Sequence, residues 1–187
     1  MKKFKLTSEF IVDISGVKLF RIKALIEFGN VKAGDLGGYI EKEENLSHMG
    51  DAWVSDDARI SGNAQVFGNA RVFGNAWVSG DAQVFGNAWV SGNAQVSGNA
   101  WVFGDAQVFG DARVSGDKDY AYAHGFGSCN RTTTFFRLKD GDVGVRCGCF
   151  YGTLAQFRDK VCETHGETKK AQEYLMLADL MEIRFKN

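Results

Sequence analysis

The sequence predicts a mainly β chain whose middle third winds as a three-sided parallel solenoid, and three observations predict it. From Asp51 to about Gly116 one phrase, Gly-(Asn/Asp)-Ala-x-Val-(Ser/Phe), repeats almost without interruption. Its period of six fits neither the 3.6-residue period of an amphipathic helix nor a heptad, but does fit a short strand closed by a corner. Proline is absent from the chain, as suits ladders that need every backbone N–H.

Each part of the phrase has a physical task. The aliphatic residue runs from Val54 and Ile60 in steps of six to Val114, and the alanine two places earlier runs from Ala52 to Ala112. Alternate side chains of a strand share a face, so Ala and Val point inward and x points outward. The Gly-Asn or Gly-Asp pair turns the chain, because these residues tolerate the left-handed backbone that a sharp corner needs. One strand this short cannot bury its apolar side alone, whereas coils stacked on one another give parallel ladders around a continuous core. Eleven such phrases, three to a coil, make nearly four coils. The prism is on the order of 18 Å tall.

Sorting the outward residues by coil separates three walls. One stacks Phe67, Phe85 and Phe103, flanked by Gln65, Gln83 and Trp101. A second stacks Ser61, Ser79, Ser97 and Ser115 beside Arg59, Trp77, Gln95 and Arg113. The third alternates Trp53/Ser55, Arg71/Phe73, Trp89/Ser91 and Gln107/Phe109. Three adjacent phenylalanines form a contiguous apolar patch of the kind that marks an interface. Phe67, Phe85, Phe103 and Trp101 are therefore interface candidates, to be covered by the C-terminal region or by another subunit.

The spacing of a small residue four places after each aliphatic one, as in Val54/Ala58, Ile60/Ala64 and Val66/Ala70, resembles the hexapeptide-repeat family, the left-handed parallel β-helix of many acyltransferases. The resemblance covers Asp51–Gly116 and implies the fold. For those acyltransferases it also implies acyl-CoA as cofactor and a histidine base placed between subunits of a trimer. The phrases Leu19–Leu25, Val31–Tyr39 and Glu43–Ser47 resemble a group of phage and prophage proteins described only as hexapeptide-like or polymer-forming. That likeness implies a phage or mobile-element source and a possible role against host defence.

A solenoid needs its open ends covered. Phe10–Ile14, Ser15-Gly16 and Val17–Ile22 read as an N-terminal hairpin. Leu36, Ile40 and Leu46 read as core of imperfect first coils, and Glu41–Glu44 as a solvated loop. After Gly116 the period stops. Residues 119–130 read as a connector, and Arg131–Leu138 and Val143–Phe150 as a hairpin around Lys139–Asp142. Thr153 with Gln156 fits a capping box opening a helix that Gly166 ends, and a last helix runs from about Thr168 to Phe185. The expected division is a hairpin cap over 1–35, a left-handed β-helix over 36–117, and a connector with a small C-terminal ββαα domain over 118–187. That domain is too small to be comfortable alone, and the phenylalanine wall is its expected dock.

A net charge of −1 over 187 residues leaves no footprint for nonspecific nucleic-acid binding. No apolar run of membrane-spanning length occurs. The start Met1–Lys5 lacks a following apolar segment, since Ser8, Glu9 and Asp13 interrupt it, so a cytoplasmic location (the host cytoplasm for a phage product) is expected. Four cysteines, Cys129, Cys147, Cys149 and Cys162, cluster in the last third. Without a secretion signal they read as reduced thiols or metal ligands.

The candidate chemistry is sparse. None of His48, His124 and His165 lies in the regular repeats, and His124 is the alternative catalytic base for an acyl-CoA reaction. Cys147, Cys149, Cys162 and His165 have the types for a tetrahedral zinc; the competing reading is packed thiols behaving as small hydrophobes. Arg131, Arg137, Lys139 and Arg146 cluster on the C-terminal hairpin and could hold phosphates of a nucleotide-type ligand or a host protein's acidic patch. The function expected is a non-catalytic, homo-oligomeric binding scaffold, a trimer, that presents its C-terminal domains to a host target or small signalling ligand. The alternatives are the acyltransferase and a structural protein that polymerises end to end.

Overall fold

The computed structural model describes residues 1–127 and 131–186; Cys129 lies outside the described residues. Among the described residues eighteen strands and two α-helices occur in the order expected of a mainly β chain. Strands β1 (Phe4–Val12) and β2 (Lys18–Ala24) pair antiparallel, and β2 pairs antiparallel with β3 (Leu36–Ile40). Eleven two-residue strands follow, β4 to β14, from Trp53–Val54 to Arg113–Val114.

These short strands build three walls, as the 18-residue sorting predicts. The serine wall joins β5, β8, β11 and β14, the tryptophan wall joins β4, β7, β10 and β13, and the phenylalanine wall joins β6, β9 and β12. All pair parallel and in register, valine on valine except where Ile60 meets Val78. Ala52 to Ala112 and Val54 to Val108 are fully buried, and Val114 nearly so. The corners are as restrictive as the core. Gly86 has φ +72, and an added Cβ would lie 2.9 Å from the backbone nitrogen of Gly104 in the coil beyond. Amide ladders run up the same edges: Asn69 donates to Asn87 and Asn87 to Asp105, while Asn75 donates to Asn93 and Asn93 to Asp111. Each of these ladders stops at an aspartate, which has no side-chain N–H to pass on.

Parallel pairing exchanges bonds in both directions, and those donated from the residues around each short strand run to the next coil. The N–H of Gln65 donates to Ala82 O, that of Gln83 to Ala100 O and that of Trp53 to Ala70 O. The first coil leaves carbonyls such as those of Ala52 and Ala64 without a partner in a preceding coil, and the last leaves N–H groups such as those of Trp101, Gln107 and Ser115 without one in a following coil. The N-terminal hairpin prolongs the serine wall, since β3 pairs parallel with β5. The segment read as a solvated loop is more ordered than expected: Glu41 accepts from the Gly62 N–H at 2.6 Å, and Glu43–Asn45 forms a short 3-10 turn.

Beyond Val114 the expected hairpin is part of a larger sheet. The connector supplies strand β15 (Tyr120–Phe126), which pairs with β16 (Arg131–Arg137); β17 (Val143–Cys147) and β18 (Phe150–Thr153) complete four antiparallel strands. The capping box forms as expected, with Thr153 and Gln156 exchanging bonds at the start of α1 (Leu154–His165). Helix α2 (Lys169–Phe185) follows. The unit is ββββαα because the Gly-, Ala- and Tyr-rich segment alternates well enough to serve as an edge strand.

This unit docks on the open end of the prism, not across the phenylalanine wall. One face of its sheet carries Tyr120 and Phe136 into the solenoid core, and the opposite face packs Phe135 and Val145 against the helices. The docking follows from the unpaired N–H groups of the last coil. Gln107 N–H donates to Thr134 Oγ1 at 2.9 Å, Trp101 N–H to Asp117 Oδ1 at 3.0 Å, and Ser115 N–H to Asp119 Oδ2 at 2.9 Å. A wall of finished ladders offers no such unsatisfied groups.

Candidate functional site

The phenylalanine wall is built as the sequence implies. Phe67 and Phe85 stack with centroids 4.8 Å apart and planes within 2°, and Phe85 and Phe103 at 5.3 Å and 10°. Trp101 stands edge-on to Phe85 at 6.3 Å, and Tyr122 of the terminal sheet continues the row edge-on to Phe103 at 5.8 Å. Trp101 remains 48% exposed and Phe103 37%. The outward residues of this wall (Gln65, Phe67, Gln83, Phe85, Trp101, Phe103) include no ionisable group, whereas the other two walls carry arginines.

The four basic candidates do not converge. Strand alternation places Arg131 and Arg137 on the helix-facing side of β16, while Arg146, paired with Thr134, faces the solenoid. Arg137 is engaged in holding the domain together: its guanidinium bonds Phe185 O and Gly141 O and lies 3.6 Å from Asp119. Arg146 lies over the Phe109 ring and bonds Gln107 Oε1 at 3.3 Å, clamping sheet to prism. Lys139 sits in the exposed turn, its N–H donating to Asp111 O. Asp119 is the electrostatic pivot of this junction. Burial pushes its carboxyl up, but hydrogen bonds from the Ser115 hydroxyl and N–H and the charge of Arg137 outweigh that and hold it below the ordinary range.

Lys139 lines an open space of about 350 Å³ with Asp111, Asp140 and Tyr151, whereas Arg131 reaches a different cavity. Arg131 shares a space of about 240 Å³ between sheet and helices with Lys160, His165, Cys147, Cys149 and Tyr174. The cavity gathers residues from two of the sequence-derived sets, the basic and the metal-type, a juxtaposition that no local pattern announces. It does not gather a zinc site: among the described residues no group of three or more His, Cys, Asp or Glu is placed to hold a metal. The reason is helical phase. Val161 and His165 line the cavity four residues apart, and Cys162, one residue on from Val161, is exposed. The Cys147 thiol instead accepts from Thr133 Oγ1 at 3.2 Å, and the ring of His165 stacks on Tyr174 at 5.8 Å.

His124 is exposed, with Nδ1 2.8 Å from Thr132 Oγ1. His48 belongs to the N-terminal end: it stacks on Phe4 at 4.4 Å and accepts from the Lys3 N–H. Sequence reasoning missed Lys3 and Asn45 altogether. Lys3 Nζ donates to Ala52 O at 2.7 Å and Gly50 O at 3.2 Å, and Asn45 Nδ2 donates to Ala64 O at 2.8 Å and Gly62 O at 3.1 Å. Desolvation lowers the Lys3 amine to about 8, against the raising influence of Asp51.

The fold and its closed ends define the class, a β-solenoid repeat protein carrying a small terminal domain. A family model described as YdcK beta solenoid repeat matches residues 64–80, 82–98 and 94–108, so the likeness covers the central part of the regular coils. A comparison with curated proteins finds no match. Among the described residues no helix is long and apolar enough to cross a membrane.

Proposed function

We propose that this chain is a non-catalytic binding scaffold that assembles as a homo-oligomer, a trimer, through its phenylalanine wall. The observation that carries this reading is the stacked, charge-free row Phe67/Phe85/Phe103 with Trp101, left open after both ends of the prism have been covered. An apolar face without charges meets its own rotated image without like-charge repulsion, which suits closed cyclic symmetry. Lys3 and Asn45 at one end, and Thr134, Asp117 and Asp119 at the other, occupy the backbone groups through which prisms would stack. Their presence favours a discrete assembly over an end-to-end polymer.

In that assembly the terminal domains sit at one end and offer the Arg131/Lys160/His165 cavity to a small anionic ligand. The phage-like N-terminal phrases make a host defence component or its nucleotide messenger the natural target class. Light scattering on the purified protein is expected to give a discrete trimer, and Phe85→Glu is expected to give a folded monomer. A wild-type monomer at high micromolar concentration would remove the proposal.

A further inference from the structure

The tryptophan wall carries a second concave feature that the scaffold reading does not use. A cleft of about 460 Å³ is lined by Asn30, Trp53, Ser55, Arg71, Phe73 and Trp89. Its floor is a ladder: Trp53 pairs with Arg71 and Arg71 with Trp89, so the guanidinium stem is held one rung from each indole. In the neighbouring column Phe73 stands between Ser55 and Ser91, and the short serines leave the space into which the cleft opens. Phe73 meets Trp89 edge-on at 6.0 Å.

The rim comes from the N-terminal region. Phe28 and Val31 bridge each other in a tight turn, Phe28 packs edge-on to Trp53 at 5.3 Å, and Gly29 adopts φ +50. A Cβ on Gly29 would lie 3.2 Å from Arg71 Nη2, so the absence of a side chain there lets the guanidinium sit at the mouth. The Arg71 backbone N–H pairs with Ala88 O, and among the described residues no hydrogen bond or ion pair engages its guanidinium. Asp51 approaches the same glycine, and its charge supports Lys3. Trp89 is 45% exposed beside this unmatched cation.

We propose that this cleft binds a nucleotide, its planar heterocycle stacked on Trp89 and its phosphate held by Arg71. A guanidinium fork matches phosphate oxygens in paired hydrogen bonds. An indole face takes any base, with stacking that is tolerant of sequence. Asn30 offers both donor and acceptor to a base edge, and the Ser55 hydroxyl can serve the ribose. An acidic sugar would supply the anion but needs more polar partners than Asn30 and Ser55 provide, and three of the six lining side chains are aromatic. The cleft lies on a different wall from Phe67, Phe85 and Phe103, so nucleotide binding is expected from monomer and oligomer alike.

The test is calorimetric titration of the full chain with AMP, GMP, inorganic phosphate and glucuronate. The expected result is saturable binding of at least one nucleotide, weakened by salt, with phosphate and glucuronate much weaker. Trp89→Ala and Arg71→Gln are each expected to lower nucleotide affinity about tenfold or more, and Trp77→Ala on the serine wall to leave it unchanged. Circular dichroism melting checks that the outward substitutions leave the prism intact, and Trp89→Phe, which keeps a ring, is expected to retain part of the affinity. No nucleotide heat at millimolar concentration, equal binding of phosphate alone, a preference for glucuronate, or undiminished nucleotide binding in both variants would each overturn the proposal.

Discussion

The two ends of the prism solve opposite problems. At the N-terminal end the first coil presents carbonyl oxygens, and the chain covers them with donors, Lys3 and Asn45. At the C-terminal end the last coil presents N–H groups, and the chain covers them with acceptors, Thr134, Asp117 and Asp119. A cationic donor on carbonyls and carboxylate acceptors on N–H groups make charge-assisted hydrogen bonds at the two ends. A solenoid end is thus specified by the backbone groups its terminal coil leaves unpaired as well as by its open apolar core.

The comparison breaks most severely if the sign at one end is reversed. Lys3→Glu would bury a carboxylate against the Gly50 and Ala52 carbonyls, and a loss of about 4 kcal/mol is expected in urea unfolding. Next comes the effect of pH on the native lysine. Below about pH 8 both folded and unfolded chains hold the Lys3 proton, so its desolvation penalty is fully present. Between about 8 and the ordinary value of 10.5 only the unfolded chain holds it, and stability should rise with pH. The rise is at most about 3 kcal/mol. A difference measurement between wild type and Lys3→Met across that window isolates it; identical pH profiles would contradict the assignment.

Asn45→Leu keeps the volume but removes the donors to Gly62 O and Ala64 O, and a loss of about 3 kcal/mol is expected from denaturant midpoints. Asp119→Asn sharpens the other end. The neutral amide can still accept from Ser115 but forfeits the charge facing Arg137, and about 1–2 kcal/mol is expected at neutral pH. Because the folded Asp119 carboxyl lies below its ordinary range, its contribution is complete above that range and is lost as pH falls through the folded value. Acid melting curves should therefore differ less between this variant and wild type than neutral ones do.

Much of the fold was legible in the residues. The period of six, the inward Ala and Val, the glycine corners and the sorting into three walls all appear as read, because each depends on residues within one coil or its neighbour. The Thr153–Gln156 box and the Gly166 stop mark α1 for the same reason. The terminal sheet was half legible: 131–137 and 143–147 have strand character, whereas Tyr120–Phe126 is a strand because Thr133 to Phe136 lie beside it. The site was less legible still. The basic residues looked like one cluster, and strand alternation divides them between two faces. Lys3 follows Lys2 and stands two residues before Lys5, and nothing local separates the buried lysine from the exposed ones.

By itself the sequence determined the prism, since a repeat forces every coil to make the same contacts as the one before, and valine, alanine and glycine have one inward arrangement at that period. Only the tertiary structure decided where the terminal domain sits, which arginines are engaged in holding it there, and which rim turns the Trp53–Arg71–Trp89 ladder into a cleft. Those outcomes depend on backbone groups left unpaired where the repeat stops and on segments far apart in the chain. A pattern read along the sequence cannot weigh them until the coils are closed.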